Sequence, residues 1–179
     1  MGGALVATSL YILKRRLMRY FFFIMTILLI SNNYAQKAEE LPLLKKYAGE
    51  YSSQKVLNDK KIKPILTQMM GKEYEHLITN LLVTGPVDLI SGSIVIQGNA
   101  PHQGGEEMAI LDINLPTGII RAAIFSNKKI VIYSDKEKYD GILDKNSYEQ
   151  LPTSILNWII VTNSINPNQL NKPRNVIIK

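Results

Sequence analysis

The side chains able to do chemistry in this chain are few. Two histidines, His76 and His102, and no cysteine are its whole supply of imidazole and thiol ligands. Without cysteine there is no disulfide framework, no thiolate metal site and no thiol nucleophile. Zinc asks for three or four protein ligands, which two histidines do not supply. Serine and aspartate are present, but no G-x-S-x-G elbow and no H-E-x-x-H helix places them beside a base. Gly104-Gly105 is too short a run to cradle a phosphate. We therefore assign no catalytic residue, metal or cofactor, and the chain reads as a binding protein and not an enzyme.

The two histidines differ in their surroundings. His76 sits in an apparent helix beside Glu73 and Glu75 and reads as an ordinary half-buried or solvent-facing side chain. His102 lies in Gly98-Asn99-Ala100-Pro101-His102-Gln103-Gly104-Gly105, between two apolar runs. Glycines at both ends permit sharp reversals, and Pro101 fixes the backbone immediately before the imidazole. A loop of this kind can project one aromatic, titratable side chain from a sheet edge. Glu106 and Glu107 follow at once; adjacent residues of a strand face opposite ways, so they read as a solvated loop edge and not as a catalytic carboxylate pair.

The elements that would hold this loop follow from periodicity. Over residues 41–82 apolar residues recur at helical spacing, in Leu41, Leu44, Tyr47, Ala48, Tyr51, then Ile62, Ile65, Leu66, Met69, Met70, then Tyr74, Leu77, Ile78, Leu81 and Leu82. Gly49 and Gly71 are the expected stops. From residue 86 the period becomes two. Val87 and Leu89 with Ile94 and Ile96 bracket Ser91-Gly92 as a hairpin; Met108 to Ile113 gives another strand; Ile119 to Phe125 and Ile130 to Tyr133 form a second hairpin around Asn127-Lys128-Lys129. Pro152 to Val161 reads as a closing helix carrying Trp158. Helices, then strands joined by tight turns, then a helix predict one α+β domain: an antiparallel sheet of about five strands with helices packed against a face of it.

Charge is distributed unevenly. The net charge is +6, yet Lys14, Arg15, Arg16 and Arg19 all precede the first acidic residue, Glu39, and removing them leaves +2. The body of the chain thus carries no basic stripe for nucleic acid. Those four cations stand before the eleven-residue apolar run Tyr20–Ile30, followed by a polar exit to Ala35. That order predicts a secretory signal over residues 1–35, cleaved after Ala35, with translation from Met18 as an alternative start; the apolar run is shorter than the about 20 residues of a membrane-spanning helix. The expected organisation is signal 1–35, domain 37–163 and a flexible tail 164–179, giving a periplasmic or secreted protein with no membrane attachment after cleavage.

At the His102 loop the chain resembles the inhibitor of vertebrate lysozyme family, periplasmic bacterial proteins that block host lysozymes. That family carries a C-K-P-H-D-C loop between two strands; Asn99-Ala100-Pro101-His102-Gln103-Gly104 occupies the equivalent place, with Pro101 and His102 matching outright. Ile65 to Gly71 resembles the family's helix, and the likeness runs loosely over residues 60–126. Both loop cysteines are replaced, by Asn99 and Gly104, the family's lysine by Ala100 and its aspartate by Gln103. The resemblance implies an inhibitory loop Asn99, Ala100, Pro101, His102, Gln103, Gly104 and Gly105 that enters the cleft of a lysozyme-type glycoside hydrolase, with Glu106 and Glu107 as electrostatic contacts toward basic lysozymes. Such a cleft holds one protonated and one ionised carboxyl group, among which an imidazole can donate and accept hydrogen bonds. A competing reading keeps the fold but has the domain bind another protein, an envelope component or a small ligand, with His102 incidental. Oligomeric state is not fixed by the sequence.

Overall fold

The computed structural model describes residues 41–135, 151–164 and 174–179. The expected signal over residues 1–35 lies outside them. A 3-10 helix, Leu41–Tyr47, leads into helices α1 (Ser53–Leu57), α2 (Ile62–Met70) and α3 (Tyr74–Asn80), with a 3-10 turn Gly71–Glu73 between the last two. Strands β1 (Val83–Thr84), β2 (Asp88–Ile90), β3 (Ser93–Asn99), β4 (Met108–Asn114), β5 (Ile120–Ser126) and β6 (Lys129–Ser134) follow; helix α4 (Thr153–Asn163) and strand β7 (Val176–Ile178) complete the order.

The α+β class is as the periodicity predicts, but the sheet is larger and mixed. It has seven strands in the order β1-β3-β4-β5-β6-β7, with β2 also paired to β3. Every pairing is antiparallel except β6 with β7. Two strands escaped the sequence reading because each is only two or three residues long. The strand β7 also corrects part of the expected flexible tail: Ile130, Val131 and Ile132 pair in parallel with Val176, Ile177 and Ile178. Residues 165–173 lie outside the described part of the chain.

Helices cover both faces, where packing on one face was expected. Ile94 and Ile96 of β3, Leu111 and Ile113 of β4 and Ala122 and Ile124 of β5 share a core with Val56, Leu66, Leu77 and other residues of α1–α3. The alternate residues, Val95, Ile110, Ala123 and Phe125, pack with Ile155, Trp158 and Ile159 of α4 on the opposite face. Two buried faces explain why the central strands are apolar at nearly every position instead of at every second one. They also fix register, since a one-residue slip would exchange the two cores.

Turn chemistry sets the strand connections. Ser91-Gly92 and Asn127-Lys128 close two-residue hairpins, all four residues at positive φ, as the twist of such hairpins requires. Gly98 lies inside β3, not in the loop, so its role differs from the one read in the sequence. A Cβ there would fall 2.4 Å from the Val83 carbonyl oxygen, so only glycine lets β1 close on β3.

Candidate inhibitory loop

Residues 100–107 connect β3 to β4, with the register Asn99↔Met108 bringing the two strand ends together. The stem closes where the Ala100 amide donates to the Glu107 carbonyl at 2.9 Å. Two successive reverse turns fill the span. In the first, the Gln103 amide donates to the Ala100 carbonyl at 3.1 Å, enclosing Pro101 and His102. In the second, the amides of Glu106 and Glu107 donate to the Gln103 carbonyl at 3.1 and 3.0 Å, enclosing Gly104 and Gly105.

Both turns have positive φ at their third residue, 61° at His102 and 85° at Gly105, the arrangement of a type II turn. Proline at the second position suits that turn. Histidine at the third does not come free of cost, because a Cβ in the left-handed region is disfavoured by roughly 1 kcal/mol relative to glycine. A turn that spends a glycine position on an imidazole, and leaves that imidazole exposed, displays it; strain of this kind collects at functional positions.

The predicted site residues divide by accessibility. Pro101, His102, Gln103, Gly104, Gly105 and Glu106 are exposed. Ala100 is buried at the base. Asn99 is half-buried, and its side-chain amide donates to the Ala100 carbonyl at 2.8 Å. Residues 99 and 104 face each other across the mouth of the loop: a Cβ on Gly104 would stand 3.9 Å from Asn99 Cγ.

Glu107 is not a free surface charge. Its Oε1 accepts from Ser126 Oγ at 2.5 Å, and its Oε2 lies 2.7 Å from His76 Nε2 and accepts from Asn80 Nδ2 at 3.2 Å. Partial burial pushes this carboxyl up, but the bonds from Ser126, His76 and Asn80 together outweigh burial and hold it below the usual carboxylate range. Asn80, itself buried, also donates to the Met108 carbonyl at 3.3 Å. His76 Nδ1 reaches Glu73 Oε2 at 3.4 Å, so only the doubly protonated ring donates to both carboxylates. The sequence reading gave His76 no role and did not single out Asn80 or Ser126. Their contacts to Glu107 span 31, 27 and 19 residues, and no local pattern signals them.

Beside the loop, on the sheet face that α4 covers, lies a groove of about 660 Å³ bordered by Val83, Ile90, Val95, Ile110, Trp158 and Val161. Asn99 reaches its rim, but no residue from Ala100 to Glu107 lines it. The loop therefore does not fold over the groove.

The domain is thus an α+β sheet covered on both faces that presents an exposed Pro-His turn between two central strands. Compared with known families, residues 61–159 match the inhibitor of vertebrate lysozyme (Ivy) family, and the chain belongs to it. The match extends from α2 into α4, well past residue 126 where the resemblance read in the sequence ends. No curated protein and no solved structure matches the chain. Members of this family are extracytoplasmic inhibitors and not enzymes. Among the described residues no helix is long and apolar enough to cross a membrane.

Proposed function

We propose that this domain inhibits a lysozyme-type muramidase by inserting the Asn99–Gly105 loop into the active-site cleft, with His102 at its tip. The observation that carries the reading is the placement of His102: exposed, at positive φ, directly after Pro101, in a strand-to-strand loop of a chain that belongs to a lysozyme-inhibitor family. The imidazole takes hydrogen-bonding positions between the two catalytic carboxyl groups and displaces substrate. Nothing in the loop resembles a glycosidic bond, so it blocks without being cut. Glu106, exposed beside the turn, adds attraction toward basic lysozymes, chiefly through association rate. The protein acts outside the cytoplasm, delivered by the signal over residues 1–35.

Turnover assays with the domain from Lys37 onward, against chicken-type, goose-type and invertebrate-type lysozymes, test this reading. The groove beside α4 gives the competing ligand-binding reading a physical site. A small molecule that binds there, with no inhibition of any lysozyme class, would favour it.

A further inference from the structure

An inhibitory loop must be rigid before it binds, because ordering it on the target subtracts directly from affinity. In the resembled family a disulfide closes the loop; here the corresponding positions are Asn99 and Gly104, and the chain has no cysteine. We infer that Glu107 is the positioning residue of the loop, and that its anchorage to His76, Asn80 and Ser126 replaces the missing cross-link.

Three observations carry this. First, Glu107 is the outgoing stem residue: its backbone accepts from Ala100 and donates to Gln103, so fixing Glu107 fixes both turns. Second, its carboxylate is held from two separate elements. Ser126 sits at the end of β5, whereas His76 and Asn80 are one turn apart on α3, so the side chain is triangulated instead of tethered at one point. Third, the contact seen at a family cysteine position does not span the loop: the Asn99 side-chain amide donates to the carbonyl of its own neighbour Ala100, so the anchorage that reaches other elements is that of Glu107. A three-donor carboxylate is a strong anchor because each bond is charge-assisted. The assignment also separates the two adjacent glutamates: Glu106 faces solvent and is available to a partner, while Glu107 works inward.

The inference rests on the loop being the inhibitory element, and the experiment keeps the two apart. Backbone 15N order parameters for residues 102–105 are measured in the wild type, Glu107→Ala, Glu107→Gln and the triple variant Glu107→Ala/Asn99→Cys/Gly104→Cys in oxidised form. Inhibition constants are measured in parallel, where denaturation curves place every variant fully in the folded state. The wild-type loop is expected near the rigid backbone value of about 0.85, and Glu107→Ala below about 0.6, with β3 and β4 unchanged. Inhibition weakens at least tenfold in Glu107→Ala, and the disulfide restores both order and inhibition although the contacts to His76 and Asn80 remain absent. Should Glu107→Ala not fold, Glu107→Gln, which keeps the shape but not the charge, is read the same way. A loop as ordered in these variants as in the wild type overturns the inference, as does a disulfide that leaves a loosened loop loose. Loop order that responds as expected in a protein that inhibits no lysozyme would leave the anchorage standing and remove the inhibitory role.

Discussion

The Nε2 of His76, on α3, lies 2.7 Å from Oε2 of Glu107, at the foot of the His102 loop. This contact joins the helical layer to the connection between β3 and β4, and Asn80, one turn further along α3, completes it. Replacing either His76 or Glu107 with alanine should cost about 1 kcal/mol, toward the low end for charge-assisted hydrogen bonds because both side chains are partly solvated. The double variant should cost less than the sum. Urea titrations of the four proteins give the coupling directly; strictly additive losses would show that the two side chains act independently.

The same carboxylate sets a pH dependence. Its folded-state pKa is lowered, so its stabilising contribution is present above the unfolded value and is lost as pH falls through the lowered folded value. His76 and, beyond it, Glu73 are the titratable groups that face it from the helical side. Wild type should lose stability between about pH 5 and pH 3 more steeply than Glu107→Gln does. Parallel acid titrations would contradict this.

Asp112 should show the opposite sign. It lies fully buried on the α4 face, accepting from Ser154, opposite Arg121 in the register of β4 and β5. Burial pushes its carboxyl up, and the bonds from Ser154 and Ser93 and the charge of Arg121 offset only part of that. A raised folded pKa favours the protonated folded state, so this contribution is full below the unfolded pKa and declines as pH rises through the folded one. The expected mark of Asp112→Asn is a flatter slope of stability against pH above pH 4, whatever the change in absolute stability from altering the neighbourhood of Arg121. Denaturant midpoints at half-unit pH intervals decide it; an unchanged slope would place the titration elsewhere.

Much of this fold was legible in the sequence, and the failures have physical causes. The change from helical spacing to alternation near residue 86 located both layers, and Ser91-Gly92 and Asn127-Lys128-Lys129 marked their hairpins through Gly92 and Asn127, residue types that tolerate the positive φ such turns require. The apolar runs Ala109-Ile110-Leu111 and Ala122-Ala123-Ile124-Phe125 carried the signature of a sheet buried on both faces, yet read as alternation they suggested helices on one face only. Strands β1 and β7 are too short for periodicity to register, and β7 exists because Val176 and Ile178 complete the α4 core. The loop was legible through Pro101-His102 and its glycines. Its anchorage was not, because hydrogen bonds across 19 to 31 residues leave no local trace.

Core and loop should respond differently to substitution. Trp158 is 5% exposed between Ile155 and Ile159 and borders the groove on one side, so Trp158→Ala should cost about 3 kcal/mol, the lower end of the range for large aromatic truncations. His102→Gly should gain about a few tenths of a kcal/mol, since glycine relieves the positive φ. Thermal or denaturant unfolding of both variants checks this. A destabilised His102→Gly would mean that the imidazole packs against the domain.

Closing the loop covalently tests its geometry independently of any partner. Because a Cβ added at Gly104 would stand 3.9 Å from Asn99 Cγ, the pair Asn99→Cys/Gly104→Cys should form a disulfide readily and stabilise the domain by about 2 kcal/mol, as the chain-entropy relation gives for so short a loop. Thiol titration and unfolding with and without reductant report both quantities. A dithiol that stays reduced in air would show that the two positions do not face each other in solution.

The central claim is tested most directly by the inhibition constant of the domain from Lys37 onward against chicken-type, goose-type and invertebrate-type lysozymes, compared with that of His102→Ala. The account predicts that the wild type inhibits at least one class at micromolar concentration or below. His102→Ala should be weaker by tenfold or more, about 1.4 kcal/mol, because a central side chain hydrogen-bonded in a desolvated cleft is where interface energy concentrates. Wild-type protein that inhibits none of the three classes, or His102→Ala that inhibits as well as wild type, would contradict it.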